Sequence, residues 1–215
     1  LLAKVIGESG LSVLKALLVY SVVVMGGLLL HTLAVYTSVA RLFGKISAKD
    51  FWKAIRPAQL IAFSTSSSSA TLPVTLDCAQ QRLGISREVS SFVLPLGSTV
   101  NMDGTALYQG VAAIFIAQVF GIDLSLGDQL TVVLTATLAS VGAAGVPGVG
   151  MVTLALVLTS IGVPTVGVAL ILGVDRILDM FRTAVTVTGD MSATVLVAAT
   201  EGETIAFKDA QPDDH

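Results

Sequence analysis

Charged residues come in short clusters along this chain, separated by long uncharged stretches, and the gaps outline its elements. No Asp, Glu, Lys or Arg lies between Lys15 and Arg41, a run of 25 residues. About 20 apolar residues suffice to cross a bilayer core as a helix, so one spanning helix is expected there. A second gap of 20 residues, Pro57 to Leu76, has Thr65-Ser66-Ser67-Ser68-Ser69-Ala70-Thr71 at its middle. Six hydroxyls in seven residues make a poor lipid-facing helix centre. Both ends of this gap sit beside basic residues, Arg41, Lys45, Lys49, Lys53 and Arg56 before it and Arg82 and Arg87 after it. Basic loops stay in the cytoplasm. A re-entrant hairpin that enters from the cytoplasm, turns at the serines and returns satisfies both facts, because irregular backbone at membrane depth must be buried in protein or line a wet cavity.

The longest gap, Gln129 to Val174, has 46 residues. A straight helix of that length would measure about 69 Å at 1.5 Å per residue, against a hydrocarbon core of about 30 Å, so the run must break. Gly142-Ala143-Ala144-Gly145-Val146-Pro147-Gly148-Val149-Gly150 supplies four glycines and a proline in nine residues, which end one helical arm and start another. Gly162-Val163-Pro164 makes a second break. A tight loop between two full spans is the alternative reading of the glycine-rich stretch.

The elements thus predicted are the end of a preceding transmembrane helix over residues 1–9, a transmembrane helix over 10–43, a first re-entrant hairpin open to the cytoplasm over 44–84, a broken transmembrane helix over 85–122, a second re-entrant hairpin open to the outside over 123–162, a last transmembrane helix over 163–200 and an acidic disordered tail over 201–215. The fold class is an all-α membrane protein, an inverted repeat of hairpin plus helix. Such repeats place substrate and coupling-ion sites near the midplane, where half-helix ends meet.

Composition agrees. Hydrophobic residues make up 53% and charged residues 13%, about half the charge content of a soluble domain. That is too little to cover a water-facing surface, which argues against a soluble enzyme and against disorder. A net charge of −3 offers no basic field for nucleic acid, and one cysteine, Cys78, rules out a disulfide framework or a cysteine metal site. The chain opens at Leu1 without methionine or a basic n-region and cleavage site, so no signal peptide is expected.

Ionisable groups inside the apolar segments are the candidate chemistry. His31 is the only one in the first helix and is read as packed. Asp103, in Asn101-Met102-Asp103-Gly104-Thr105, has two readings of equal weight: part of an oxygen-rich, unwound cation site, or a structural acid bonded to a neighbouring helix. Asp175, Asp179 and Arg182 fall on one helix face at i, i+4, i+7. Arg182 offers a planar fork for a carboxylate and Asp179 an acceptor for an ammonium, which fits an acidic amino acid. Asp190 lies three helical turns beyond Asp179 and is placed to complete a cation site with Asn101.

Together Thr65–Thr75, Asn101–Gln109, Gly142–Gly150 and Leu178–Asp190 resemble the sodium-coupled glutamate/aspartate transporter family, which includes neuronal glutamate transporters and archaeal aspartate transporters. The resemblance covers nearly the whole chain. It implies that the chain is the family's transport domain and that the second hairpin is the extracellular gate. By resemblance, Arg182 binds the substrate's side-chain carboxylate and Asp179 its amino group. Ser67, Ser68, Thr105, Val146, Gly148, Thr183 and Thr186 make further substrate contacts. Gly97, Asn101 and Asp190 match one sodium site; Thr99, Ser140, Val141 and Ala143 match a second through backbone oxygens; Asp103 with Asn101 matches a third. Thr186 stands where the family usually has asparagine. The first hairpin tip has Ser66 where archaeal members have arginine; neuronal members also have serine there but carry a compensating arginine just after the acid that matches Asp179, where this chain has Met180, with Arg176 one turn earlier as the candidate substitute. The trimerisation scaffold and third helix of the family are absent, so either a longer protein or a partner supplies them.

The function expected is symport of aspartate or glutamate with Na+ (H+ being the alternative ion) by a multi-pass protein of the cell membrane, in contact with lipid and homotrimeric when the scaffold is present. The rivals are an intramembrane aspartyl protease using Asp103 and Asp190, a passive channel, and an inactive transporter fragment.

Overall fold

The computed structural model describes residues 11–208, so the helix end expected over residues 1–9 and the part of the expected 201–215 tail from 209 onward lie outside the described residues. The described residues are all helical or irregular, with no strand among them. Helix α1 (Leu11–His31) passes through a π-helical turn, Thr32–Tyr36, into α2 (Thr37–Leu42). Helices α3 (Ala48–Thr65) and α4 (Ser68–Asp77) pack against each other and are joined at Ser66-Ser67. A second π-helical turn, Cys78–Arg82, extends α4. Helix α5 (Arg87–Val100) is interrupted at Asn101-Met102 before α6 (Asp103–Val119). A second packed pair follows, α7 (Leu126–Val141) and α8 (Val149–Ser160), and a 3-10 turn at Thr165–Gly167 leads into α9 (Val168–Thr200).

Local chemistry accounts for the boundaries. Ser47, Ser67, Ser86 and Ser125 each sit in front of a helix and accept a hydrogen bond from a first-turn backbone N–H, satisfying a donor that has no partner inside the helix. At Ser125 the arrangement is reciprocal, since Asp128 accepts from the Ser125 N–H at 2.9 Å, and the Ser125 hydroxyl and backbone N–H hold the Asp128 carboxyl below the usual carboxylate range. Gly148 ends the second tip with φ of 78°, a left-handed conformation that glycine adopts without penalty.

Two hydrophobic clusters flank a polar middle. One gathers Leu17, Tyr20, Val24 and Leu28 of α1 with α6 and the α7–α8 pair, the other Tyr36 and Ala40 with α3 and Cys78–Leu83. Helix α9 runs through both, contributing Ile171 and Leu178 to the first and Val187, Met191, Val195 and Ala198 to the second. Its 33 residues span about 50 Å. Between the two ends it buries Asp175, Asp179, Arg182, Thr183, Thr186, Thr188 and Asp190. Outward faces are apolar: Leu18, Val22 and Leu29 on α1, Leu33 in the π turn that follows it, and Leu130, Val133, Leu134 and Leu138 on α7 are all exposed. Among the described residues one helical stretch, Leu14–Leu42, is long and apolar enough to cross a membrane by length and composition.

Residues 201–208 differ from the expected disordered tail. The Ala206 and Lys208 N–H groups donate to the carbonyls of Leu83 and Arg82, and Glu203 accepts from the Ser86 hydroxyl at 2.6 Å and the Ser86 N–H at 2.9 Å. The reason is local: Glu203 reaches the start of α5, where a carboxylate is favoured, and Phe207 lies under the Lys53 ammonium. An acidic composition alone hides such pairing.

Close packing of α6 against the start of α9 depends on Gly167, where a Cβ would collide with Ile116 and stand 2.9 Å from the Phe120 ring. Overpacking of this kind costs about 1–3 kcal/mol. Gly167→Ala is therefore expected to lower the thermal midpoint of the full-length protein in detergent by several degrees, and an unchanged midpoint would show that this contact has slack.

Candidate functional site

The site is assembled where the two helix-pair tips and the break between α5 and α6 meet α9. At the first tip Ser66 takes a left-handed conformation, φ 53°, and Ser67 opens α4. The Ser67 hydroxyl donates to the Gly145 carbonyl at 2.7 Å, and the Ser69 N–H donates to the same oxygen at 3.2 Å. A Cβ on Gly145 would lie 2.7 Å from Ser69 Oγ and 2.9 Å from the Ser98 carbonyl, so only glycine permits this approach. The tips thus close on each other through one backbone carbonyl.

Beneath them lies Arg182, 1% exposed. Its Nη2 is 2.6 Å from Asp179 Oδ1 and its Nη1 3.2 Å from Asp175 Oδ1. The guanidinium stacks 3.9 Å over the Tyr108 ring, and Gly150 leaves it room, since a Cβ there would meet Nη2 at 3.1 Å. Nε has no hydrogen-bond partner. A buried cation needs such counter-charges, because water no longer solvates it. Asp179 has a second partner: the Gly148 N–H, at the N-terminus of α8, donates to Oδ2 at 3.0 Å. The last helix and the second tip are therefore tied through one carboxylate.

Ser68, Thr105, Val146, Asp179, Thr183 and Thr186 line a single small cavity beside this cluster. It leaves about 10 Å³ for the centre of a water molecule, room for one water. Anything larger than water would fit here only if the 142–148 tip withdrew or Arg182 parted from Asp179. Ser67 stands at the lip through its bond to Gly145, and Gly148 through its bond to Asp179. Thr183 and Thr186 turn their hydroxyls to their own helix, donating to the carbonyls of Asp179 and Arg182. Arg176 is exposed and forms no part of the cluster.

The residues expected to hold cations divide. Gly97, Asn101 and Asp190 come together: the Asn101 amide donates to Asp190 Oδ1 at 2.9 Å, and a Cβ on Gly97 would be 2.8 Å from that oxygen. Asp190 is 2% exposed. The Thr99 hydroxyl donates to Leu96 and that of Ser140 to Thr137, both within their own helices, while the Ser140 carbonyl accepts from Ala143 N–H. Val141 is exposed and Ala143 buried. Among the described residues no three His, Cys, Asp or Glu side chains gather to hold a metal ion, so a cation here would rely on carbonyl and amide oxygens around single carboxylates.

Asp103 is turned the other way. The Tyr36 hydroxyl donates to its Oδ2, His31 Nε2 lies 3.1 Å from the same atom, and the Gly104 N–H donates to Oδ1 at 2.7 Å. Of the two readings of Asp103, bonding to a neighbouring helix is the one this arrangement displays. No hydrogen bond joins Asp103 to Asp190, so the two carboxylates do not share a proton as a protease dyad would. Sequence reasoning missed Tyr36, Tyr108 and the role of His31. Tyr108 follows Asp103 by five residues in the same motif and could have been found there; His31 and Tyr36 carry no α-helical signal of a shared face.

Residues 1–200 match the family described as the sodium:dicarboxylate symporter family. The chain is similar to an excitatory amino acid transporter of Caenorhabditis elegans, 49% identical over 82% of this chain and 35% of the relative. It is also similar to excitatory amino acid transporter 5 of Homo sapiens, 50% identical over 86% of this chain and 33% of the relative, and to excitatory amino acid transporter 3 of Mus musculus, 45% identical over 90% and 37%. It thus spans about a third of the length of these relatives. With the family matched over all but the last fifteen residues and the serine-rich tip, the NMDGT break and the charged last helix meeting at one site, the chain belongs to the sodium:dicarboxylate symporter family.

Proposed function

We propose that this chain is the substrate-carrying unit of a multi-pass membrane transporter that moves aspartate or glutamate together with sodium by alternating access. The observation that carries the reading is Arg182: a guanidinium, fully buried, held by Asp175 and Asp179 directly beneath two helix tips. A protein seldom buries such a charge without a use for it, and its donors match a carboxylate. Asp179 is the complementary acceptor for an ammonium. Both groups are already paired inside the protein, so an acidic amino acid can exchange places with internal partners: its carboxylate replaces Asp179 on Arg182, and its ammonium takes up Asp179.

The two helix pairs act as re-entrant hairpins of opposite orientation. The second one is the gate, because its tip contacts the first tip and Asp179 through backbone groups alone. Gly97, Asn101 and Asp190 form a sodium site, and the carbonyls of Thr99, Ser140, Val141 and Ala143 a second one. The exposed apolar faces of α1 and α7 meet lipid or the scaffold of the complete, trimeric protein.

Arg182→Cys in the full-length transporter is expected to weaken acidic-substrate binding by about two to three orders of magnitude, the loss typical of one partner of a buried charge pair. Calorimetric titration with aspartate checks it, and wild-type affinity would remove Arg182 from the substrate site. Asp179→Asn should weaken aspartate binding far more than binding of succinate, which lacks the ammonium; equal losses would mean a structural role. Ligand and sodium that close one gate must raise each other's affinity equally, so aspartate affinity should climb steeply with sodium and less steeply in Asp190→Asn. A slope of zero in the unaltered protein would reject sodium coupling.

A further inference from the structure

His31 and Tyr36 reach the same oxygen of Asp103 although they lie five residues apart. At 100° per residue an α-helix would turn them about 140° away from each other. The π-helical turn Thr32–Tyr36, closed by the Thr37 N–H donating to the Thr32 carbonyl, brings them to one face, since its bond joins residues five apart. Neither glycine nor proline occurs in Thr32–Tyr36, so no helix breaker explains the turn, and such single π turns are frequent at functional sites. Helix α9 is shaped for the same contact. A Cβ on Gly189 would lie 2.7 Å from Tyr36 Oη and 2.8 Å from Asn101 Nδ2, so the glycine is what lets both side chains pass.

Three groups therefore converge on Asp103: the Tyr36 hydroxyl donates to Oδ2, His31 Nε2 lies 3.1 Å from the same oxygen and 3.1 Å from the Tyr36 hydroxyl, and the Gly104 N–H donates to Oδ1. Two oxygens accept about four hydrogen bonds, so the carboxylate is largely satisfied by the protein itself. We propose that His31 and Tyr36 are positioning residues that compete with a cation for Asp103, so that a sodium ion can use this carboxylate only by displacing them. The π turn is the device that permits the exchange: it can hold both donors on Asp103, while an ordinary α-helical turn would withdraw one of them. The inference rests on the sodium-coupled reading above.

Removing a donor should leave Asp103 short of partners and make it a better cation ligand. Losing one hydrogen bond is worth about 0.5–1.5 kcal/mol, so Tyr36→Phe and His31→Leu should each lower the sodium concentration for half-maximal aspartate binding by about two- to tenfold. His31→Gln, which retains an N–H donor, should stay near the unaltered protein. The measurement is aspartate binding against sodium on the purified full-length transporter. If the first substitution acts through Asp103, Tyr36→Phe should have no effect on the sodium midpoint in an Asp103→Asn background; an equal shift there would overturn the inference. So would a steep sodium dependence whose midpoint is unmoved or raised in Tyr36→Phe, a variant that keeps the buried ring and its packing. A flat sodium response in the unaltered protein would instead overturn the sodium-coupled reading together with this one.

Discussion

A guanidinium cannot stay buried without negative charge beside it, and much of this structure follows from placing Arg182 in the middle of a long helix. Asp179 and Asp175 supply the charge from the same helix, one and two turns away. Tyr108 supplies a ring face from α6, and Gly150 keeps the start of α8 clear of the guanidinium. Helix α9 can carry this polar segment only because each of its ends is anchored in a separate apolar cluster. The result is apolar packing at both ends and a polar middle, where electrostatics contributes most.

The tips show the same logic in backbone form. Serines and glycines have little side chain to pack, so the 142–148 segment is held through its own backbone groups: the Gly145 carbonyl accepts from the Ser67 hydroxyl and the Ser69 N–H, and the Gly148 N–H donates to the Asp179 carboxylate. Such contacts are few and readily exchanged for those of a ligand, whereas the helix shafts below bury apolar side chains. Segments held this way lie toward the weakly held end of the stability range, from which regions that open are drawn. Membership of a transporter family implies a membrane protein, and the apolar outer faces of α1 and α7 are in keeping with that setting.

Much of the architecture was legible along the chain. Helix interruptions fall where serine, glycine, proline or Asn-Met clusters interrupt apolar runs, because those residues either cap helices or cannot continue them. The i, i+4, i+7 spacing of Asp175, Asp179 and Arg182 placed them on one face, and they do pair there. The docked segment 201–208 was not legible, since its acidic residues read as solvated until Glu203 is seen on Ser86. The cavity lining was legible as a set of residues and not as a shape: nothing in one dimension tells that Thr183 and Thr186 turn their hydroxyls to their own backbone.

By itself the sequence determined the helical class, the breaks, the apolar faces and the residues that carry charge into apolar surroundings. These depend on composition and on short-range periodicity, which are local properties. Tertiary structure alone decided the partners that no spacing announces. Asp190 meets Asn101 as its sequence position suggested, whereas Asp103 turns to His31 and Tyr36 across a π turn that no helix-breaking residue announces. The physical reason is that a buried carboxylate takes whatever donors the packing brings within about 3 Å, and packing is fixed by close approaches such as those at Gly145, Gly150 and Gly189, between segments far apart in the chain.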